Sequence, residues 1–331
     1  MSNKDFEYEP RRKSGGKGGL IAALVILSVI VVLLLALVFL MSNRSRGDFG
    51  SREEPLEAVG DRIEQWAEGV ENAVEKAVEK GVAGYDYHYA NADSFSVGNA
   101  EVEPGNVNRL VIDWVAGQVT VEPYDGDTIS VSEPLQAKEK NKLRWRQAGD
   151  TLTIRYCAST GSGDAASKDL TVKVPVELAA ALRYVQISAA SADAYVSGLE
   201  VGELQFDSTS GGLYAEGDFD ILDLDTVSGD LEFYGTAKDA EIDTVSGNVI
   251  VVCAVTPNEL SFDSASGNLN LLLPESRSFE ADFGTVSGEF QSELPLSRSE
   301  NWFYLGTQWK DQPAELEFDT VSGNVQIKKM S

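Results

Sequence analysis

The chain lacks most of the side chains that enzymes use for acid–base and metal chemistry. Its 331 residues include one histidine, His88, and two cysteines, Cys157 and Cys253. A Ser-His-Asp triad needs a histidine beside its nucleophile, and a zinc site needs several nitrogen or sulfur ligands. Neither a Gly-x-Ser-x-Gly elbow nor a phosphate-binding glycine loop is present. We therefore predict a protein that is not an enzyme, with no catalytic, cofactor-binding or metal-binding residues and no cofactor.

Basic side chains are also scarce, with 27 Lys and Arg against 53 Asp and Glu, so the net charge is −26. Such a charge repels the phosphates of nucleic acids, and no nucleic-acid partner is expected. Solubility in a crowded envelope explains the charge, and attraction of divalent cations or basic partners is the alternative. The two cysteines are compatible either with a disulfide outside the cell or with two buried thiols.

A charge-free apolar segment covers residues 20–41. At about 1.5 Å per residue, a helix of this length crosses the roughly 30 Å hydrocarbon layer, so we predict a retained transmembrane helix. The alternative is a cleaved signal peptide, whose apolar region usually has only about 7–15 residues. More Lys and Arg precede the segment than follow it closely, which predicts a cytoplasmic N-terminus and an extracytoplasmic C-terminal domain in the cell membrane.

The segments around this membrane helix are polar. The polar composition of residues 1–19 predicts a disordered cytoplasmic tail. Residues 42–104 predict a linker that contains an amphipathic stalk helix over residues 53–80. Apolar residues recur there at alternating steps of three and four, at Leu56, Val59, Ile63, Trp66, Val70, Ala73 and Ala77. About three heptads are near the minimum for a coiled coil, so self-association competes with packing on the protein's own domain or near the membrane surface.

A short motif is repeated through the C-terminal half of the chain. Its common form is Asp-Thr-Val-Ser-Gly-Asn between apolar–polar–apolar stretches, and its glycines are Gly211, Gly229, Gly247, Gly267, Gly288 and Gly323. The steps between them are 18, 18, 20, 21 and 35 residues. A fixed short period predicts stacked units, none of which buries its apolar face alone.

The period favours an all-β, β-solenoid or β-helix-like domain over residues 105–331. A propeller needs about 40 residues or more per blade, whereas a sandwich of hairpins is a serious alternative. We predict that the turn glycine adopts a positive φ, and that Asp, Thr and Ser side chains bond to backbone amides freed by the turn. The 35-residue step predicts an inserted loop or degenerate coil whose aromatic residues cover the open end of the stack.

One aspartate of the motif forms a column if the units stack. Its members are Asp207, Asp225, Asp243, Asp263 and Asp319, with Gly284 at the equivalent place in one copy. Carboxylates about 5 Å apart raise one another's pKa unless amides or a cation compensate them. Turn amides and a loosely bound Ca²⁺ are the two alternatives. Because the column has the period of the fold, a structural role is favoured over a polysaccharide-acting enzyme with paired carboxylates.

Three features together resemble a known family. They are Leu170-Thr-Val-Lys-Val-Pro, the serial Thr-Val-Ser-Gly-Asp/Asn turns, and the closing Leu316-Glu-Phe-Asp-Thr-Val-Ser-Gly-Asn-Val-Gln-Ile. Residues 105–329 are similar in these features to the bacterial "putative adhesin" family of unknown function. The resemblance implies a β-solenoid-like domain, often tethered to a membrane and found in Gram-positive envelopes.

These observations lead to one expected function and one alternative. The expected function is that of a non-enzymatic, membrane-anchored extracytoplasmic adhesin or binding module, with a cell-wall, matrix or membrane-protein partner. The alternative is an envelope-stress regulatory or sensor component that acts through a membrane partner. Since the repeated motif is explained as scaffold, function is expected where the motif is broken. Those places are the Gly284 copy, the aromatic insertion at 302–309 and the outward faces of the strands.

Overall fold

The computed structural model describes residues 94–134, 141–157, 167–275, 277–299, 302–305 and 313–330. The predicted tail, membrane helix and stalk helix lie outside these ranges, as does His88. Within the described ranges, no helix combines the length and the apolar character that a membrane crossing requires.

Most described residues belong to strands, and these strands form one extended sheet. The first half contains β1 (Ser96–Val97), β2 (Ala100–Val102), β3 (Arg109–Tyr124), β4 (Ile129–Ser132), β5 (Arg144–Ala148), β6 (Thr151–Arg155), β7 (Leu170–Pro175), helix α1 (Val176–Ala179), β8 (Leu182–Ser208) and β9 (Leu213–Thr226). The second half contains β10 (Leu231–Thr244), β11 (Val249–Cys253), β12 (Glu259–Ser264), β13 (Leu269–Leu273), β14 (Phe279–Thr285), β15 (Phe290–Ser292), β16 (Leu296–Ser299), β17 (Trp302–Leu305), β18 (Ala314–Thr320) and β19 (Val325–Lys329).

Each repeat passes through two parallel stacks of strands. In β10, residues 231–235 pair with β11 in the first stack, and residues 239–244 pair with β12 in the second stack. Successive copies pair in parallel and in register, so equivalent residues lie next to one another at about 4.8 Å per strand. The predicted all-β, solenoid-like fold is confirmed. The hairpin sandwich is excluded, because two-residue hairpins join antiparallel strands.

The space between the two stacks is filled by the inward residues of every strand. In β10, Leu231 and Phe233 of the first stack and Ile242 of the second stack are buried in one continuous apolar cluster. Phe206, Phe262 and Phe318 occupy equivalent inward places in other copies and are fully buried as well. The two-residue alternation therefore assigns every second side chain to the core and the remainder to an outward face.

The C-terminal copy does not stack in sequence order. Strand β18 lies between β12 and β14, and β19 lies between β13 and β15. Between β15 and β18 the chain forms the antiparallel pair of β16 and β17. Strand β17 then pairs antiparallel with β14. The inserted segment therefore lies at the open end of the stack, where Trp302–Leu305 pairs with β14. That its aromatic side chains cover this end remains a prediction, and Trp309 lies outside the described residues.

The opposite end of the stack begins within the predicted linker 42–104. Strand β1 pairs with β5, and β2 pairs with β4, both antiparallel. Strands β6 and β7 connect these pairs to β3, the first strand that passes through both stacks. The sheet therefore extends N-terminal to residue 105, the predicted start of the domain.

A buried ion pair holds this end together. The ammonium of Lys168 pairs with the Glu133 carboxylate, and these side chains are only 11% and 2% exposed. Lys168 Nζ also donates to the carbonyl oxygens of Asn141 at 2.8 Å and Cys157 at 3.0 Å. The ammonium lies 4.7 Å from the ring centroid of Tyr156. Loss of either charged partner would leave a buried charge uncompensated, which typically costs about 3–5 kcal/mol.

Hydroxyl groups hold the repeated turn. Thr226 Oγ1 accepts a hydrogen bond from the Gly229 N–H at 2.9 Å, and Thr244 Oγ1 accepts one from the Gly247 N–H at 2.8 Å. The serine of the motif bonds to the neighbouring copy, as when Ser246 Oγ donates to the Val227 carbonyl at 3.3 Å. The predicted bonding of hydroxyl groups to the turn amides is confirmed at the Thr position of the motif, which is Ser208 or Ser264 in two copies. The serine before the glycine instead bonds to a carbonyl of the neighbouring copy.

The residue after the glycine forms a second ladder along the edge of the sheet. The Asn248 N–H donates to Asp230 Oδ1 at 2.8 Å, and Asn268 Nδ2 donates to Asn248 Oδ1 at 3.0 Å. Asn324 Nδ2 donates to Asn268 Oδ1 at 3.1 Å. The ladder follows the spatial order of the copies and includes the inserted C-terminal one. The Asp or Asn that follows the turn glycine is therefore part of the scaffold.

The turn glycines are needed for close approach, and the predicted positive φ is wrong. Positive φ values occur at other glycines, among them Gly117 and Gly235. A Cβ on Gly247 would lie 2.0 Å from the carbonyl oxygen of Gly229. The equivalent distance is 2.3 Å for Gly267 and 1.9 Å for Gly323. Any side chain at these positions would force the stacked backbones apart.

We predict that Gly247→Ala destabilises the domain by about 3 kcal/mol, because its methyl group collides with a backbone carbonyl that cannot move alone. The expected fall in Tm is about 6–12 °C. Circular dichroism melting of the full chain in detergent measures it. Ser246→Ala is the matched control, because it removes one exposed hydrogen bond from the same turn. A fall no larger than that of the control would contradict the steric argument.

Candidate binding surface

The outward side chains of the second stack form a continuous acidic surface, here called the acidic face. Its carboxylates belong to six neighbouring strands. Because these strands pair in register, the carboxylates form columns that run across the strands. They are Glu203, Asp207, Asp223, Asp225, Asp239, Glu241, Asp243, Glu259, Asp263, Glu280, Asp282, Glu315, Glu317 and Asp319, of which Asp207 and Asp225 are buried. The other outward positions of these strand segments hold Gln, Ile, Ser or Gly, so no basic side chain interrupts the face.

The acidic face contains a groove of about 530 Å³. Carboxylates from six strands line it, including Glu203, Asp223, Glu241, Glu259, Glu280 and Glu317. Charges of one sign within a concave surface strengthen the local potential and raise the concentration of counter-ions. The groove therefore attracts cations and repels anions.

The predicted aspartate column exists, although its break is not where the sequence order suggests. Its members pair in register in the order Asp207, Asp225, Asp243, Asp263, Asp319 and Gly284. Because the C-terminal copy is inserted before the Gly284 copy, the glycine ends the column rather than interrupting it. The Gly284 copy is thus the terminal coil of the second stack, next to β17.

The pKa values of the aspartates at the centre of the column are raised. Burial, together with the neighbouring Asp263 and Asp225, raises the pKa of Asp243 from its ordinary value of 3.8 to about 8. Burial and the nearby Asp319 raise the pKa of Asp263 to about 7. Oδ1 of Asp243 is buried without a hydrogen-bond partner. Protonation is thus a further means of relieving repulsion, beside the turn amides and Ca²⁺ considered from the sequence.

Metal-ligand geometry is not apparent in the part of the chain that the structure describes, where no group of three or more His, Cys, Asp or Glu is placed to hold an ion. The two cysteines are free and buried, which answers the question of a disulfide. Burial raises the pKa of the Cys253 thiol to about 12 and also raises that of Cys157. Both thiols are therefore unreactive core residues.

The first stack presents a different outward surface, here called the tyrosine–aliphatic face. The rings of Tyr195 and Tyr214 lie 6.3 Å apart between centroids, and those of Tyr214 and Tyr234 lie 5.4 Å apart. Partly exposed aliphatic residues continue the row on the next strands, at Ile250, Val252 and Leu272. Sequence reasoning named the outward faces but missed this difference between them. The sequence already indicated it, because the two-residue alternation places these aromatic and aliphatic residues on the outward side of their strands.

The in-register parallel stack and its hydroxyl-bonded turns define an all-β, solenoid-like repeat domain. The chain belongs to the Toastrack DUF4097 family, whose model matches residues 107–328. The resemblance to the "putative adhesin" family inferred from the motifs is confirmed by this match.

Three solved structures are similar to the chain. A putative adhesin from Bacteroides fragilis is 13% identical, with 71% of this chain and 97% of that chain covered and a TM-score of 0.43. A putative cell adhesion protein from Clostridium sporogenes is 11% identical, with coverage of 71% and 100% and a TM-score of 0.31. A putative lipid binding protein from Parabacteroides distasonis is 10% identical, with coverage of 72% and 97% and a TM-score of 0.41. No curated protein matches the chain.

The raised pKa of Asp243 predicts a stability that falls as pH rises. The folded domain retains a proton between pH 3.8 and about 8 that the unfolded chain releases. This contribution is therefore complete below about pH 4 and is lost toward pH 8. Asp243→Asn removes the titration, so we expect its Tm at pH 8.5 to exceed that of the wild type by about 2–8 °C.

Thermal melting between pH 5 and pH 8.5 measures this difference, with the gap between variant and wild type expected to close toward pH 5. Asp125→Asn is the control, since Asp125 is an exposed loop residue remote from the column. Parallel pH profiles for wild type and Asp243→Asn would show that the column does not titrate near neutrality.

Proposed function

We propose that this chain is a membrane-anchored, extracytoplasmic binding module of the bacterial cell envelope, and that it acts without catalysis. The observation that supports it is the acidic face, which displays equivalent carboxylates on six adjacent strands with no basic side chain among them.

The spacing of the carboxylates indicates the kind of partner. Neighbouring members of a column are about 4.8 Å apart, and the groove crosses several strands. One exposed charge pair contributes only about 0.2–1 kcal/mol, so useful affinity needs several pairs at once. An extended segment with repeated Lys or Arg side chains meets this need. The proposed partner is therefore a basic region of a cell-wall, matrix or membrane protein, and nucleic acid is not expected.

The same surface is unlike the site of a polysaccharide-cleaving enzyme. Glycoside hydrolysis uses one particular pair of carboxyl groups, one as acid and the other as base or nucleophile. The acidic face instead repeats equivalent groups along columns. Asp243 next to Asp225 is the strongest candidate for such a pair, because its raised pKa suits a general acid. If the wild type cleaved a glycan and the double variant Asp225→Asn, Asp243→Asn did not, the proposed binding function would have to be replaced by a catalytic one.

We predict that neutralising the groove weakens binding of an oligolysine peptide about tenfold. The variant combines Asp223→Asn, Glu241→Gln and Glu317→Gln, and its loss corresponds to three pairs of about 0.5 kcal/mol each. Fluorescence titration of the full chain in detergent measures it at low ionic strength. Binding of the wild type should also fall at roughly 0.5 M salt, because exposed charges are then screened.

The matched control removes the same number of charges elsewhere, through Glu103→Gln, Glu177→Gln and Glu200→Gln at exposed positions. Equal losses in both triple variants would show that net charge, and not the acidic face, determines binding. Crosslinking in intact cells then identifies the natural partner. Recovery of one integral membrane protein, with no envelope or matrix polymer, would favour the regulatory alternative.

The proposed membrane topology is tested by labelling cysteines in intact cells. We expect a membrane-impermeant maleimide to label Glu177→Cys in the exposed helix α1, but not Ser14→Cys in the predicted cytoplasmic tail. Background is low because Cys157 and Cys253 are buried. Labelling of Ser14→Cys alone would reverse the orientation. Release of a shortened protein into the medium would indicate a cleaved signal peptide.

A further inference from the structure

The tyrosine–aliphatic face is a row of aromatic and aliphatic side chains, with Glu216 and Glu232 among them, on an otherwise strongly charged protein. Its residues come from five neighbouring strands, β8, β9, β10, β11 and β13. Tyr195 is 42% exposed, and the other members are partly exposed. The hydroxyl groups of Tyr214 and Tyr234 bond to Glu216 and Glu232 on their own strands, so the rings are held in place. Exposed apolar patches of this kind mark sites that another element covers.

The chain itself contains a segment with the complementary pattern. Residues 53–80 carry an apolar stripe at helical spacing, from Leu56 to Ala77. The portion from Val59 to Ala73 would be about 21 Å long as a helix. Five strands spaced by about 4.8 Å span about 19 Å. A helix lying across the strands therefore matches the length of the face.

Charge selects between the two outward faces. Residues 53–80 contain nine acidic and three basic side chains, so the segment is repelled by the acidic face. The tyrosine–aliphatic face has few charges, and its Glu216 and Glu232 lie beside tyrosine hydroxyl groups. We infer that the amphipathic segment 53–80 of the same chain packs along the tyrosine–aliphatic face.

The connection is long enough for this arrangement. The described chain begins at Ser94, and β1 is linked through β5, β6 and β3 to β8, where the face starts. Four strand steps cover about 20 Å, and passing from one stack to the other adds about 10 Å. Residues 81–93 reach at most about 45 Å. A tethered segment also has a high effective concentration, which favours docking within one chain over docking between chains.

Two consequences follow for the proposed module. The docked segment would cover the apolar face and leave the acidic face open to a partner. It would also use the apolar stripe that a coiled coil between chains requires, so docking and self-association exclude each other. The inference itself needs neither the membrane anchor nor a basic partner, and it stands or falls separately from the proposed function.

Site-specific photocrosslinking tests the inference on the full chain in detergent. A benzophenone amino acid replaces Trp66 in the middle of the stripe, and crosslinked peptides are mapped by mass spectrometry. We expect intramolecular crosslinks to strands β9, β10, β11 and β13. Crosslinks between segments 53–80 of two chains would overturn the inference in favour of self-association. Crosslinks to the acidic face, or none to the domain, would also overturn it.

A pair of matched substitutions tests the specificity of docking. Val252→Asp places a charge within the tyrosine–aliphatic face and is expected to lower the crosslinking yield at least fivefold. Ile221→Asp makes a similar change at an exposed apolar residue of the acidic face and should leave the yield unchanged. Equal losses in both variants would overturn the inference. If Val252→Asp does not fold, the crosslinks mapped with the wild-type face still distinguish docking on this face from self-association and from contact with the acidic face.

Discussion

The close, in-register approach of consecutive backbones at the glycine turns is the constraint on which the rest of the structure depends. A Cβ on Gly229, Gly247 or Gly323 would lie about 2 Å from the carbonyl oxygen of the neighbouring copy. With the backbones at this separation, the Thr and Ser hydroxyl groups reach the turn amides and carbonyls, and the Asn side chains reach one another. The turn thus fixes the register of both stacks, and the register fixes which side chains become neighbours.

A fixed register has opposite consequences on the two sides of a strand. Inside, identical apolar residues accumulate without conflict, and Phe206, Phe262 and Phe318 are fully buried. Outside, identical carboxylates accumulate as well, and each added member increases the repulsion. The domain tolerates this at Asp243 and Asp263, whose raised pKa values keep protons within the column near neutral pH. A turn requirement alone does not explain carboxylates at two or three outward positions of every strand in the second stack from β8 onward, which favours a binding role for the surface.

The period, the glycines and the two-residue alternation were sufficient to predict an all-β solenoid and the division into core and outward faces. The position of the C-terminal copy was not predictable from them. Strands β18 and β19 carry the same motif as their neighbours, so every slot in the stack accepts them equally well by local pattern. The predicted positive φ failed for a related reason, since the need for glycine arises from a neighbouring copy and not from the turn itself.

The same reasoning explains why the surfaces were harder to predict than the core. The two-residue alternation along a strand is enough to identify an inward residue. The surface to which an outward residue belongs, however, depends on the residues beside it on the two neighbouring strands. Tyr195, Tyr214 and Tyr234 are separated by 19 and 20 residues in the sequence and become one surface through register. Carboxylates on the second stack become one groove in the same way. The two faces differ in chemistry although one scaffold carries both, so the repeats present a charged surface on one stack and an apolar surface on the other.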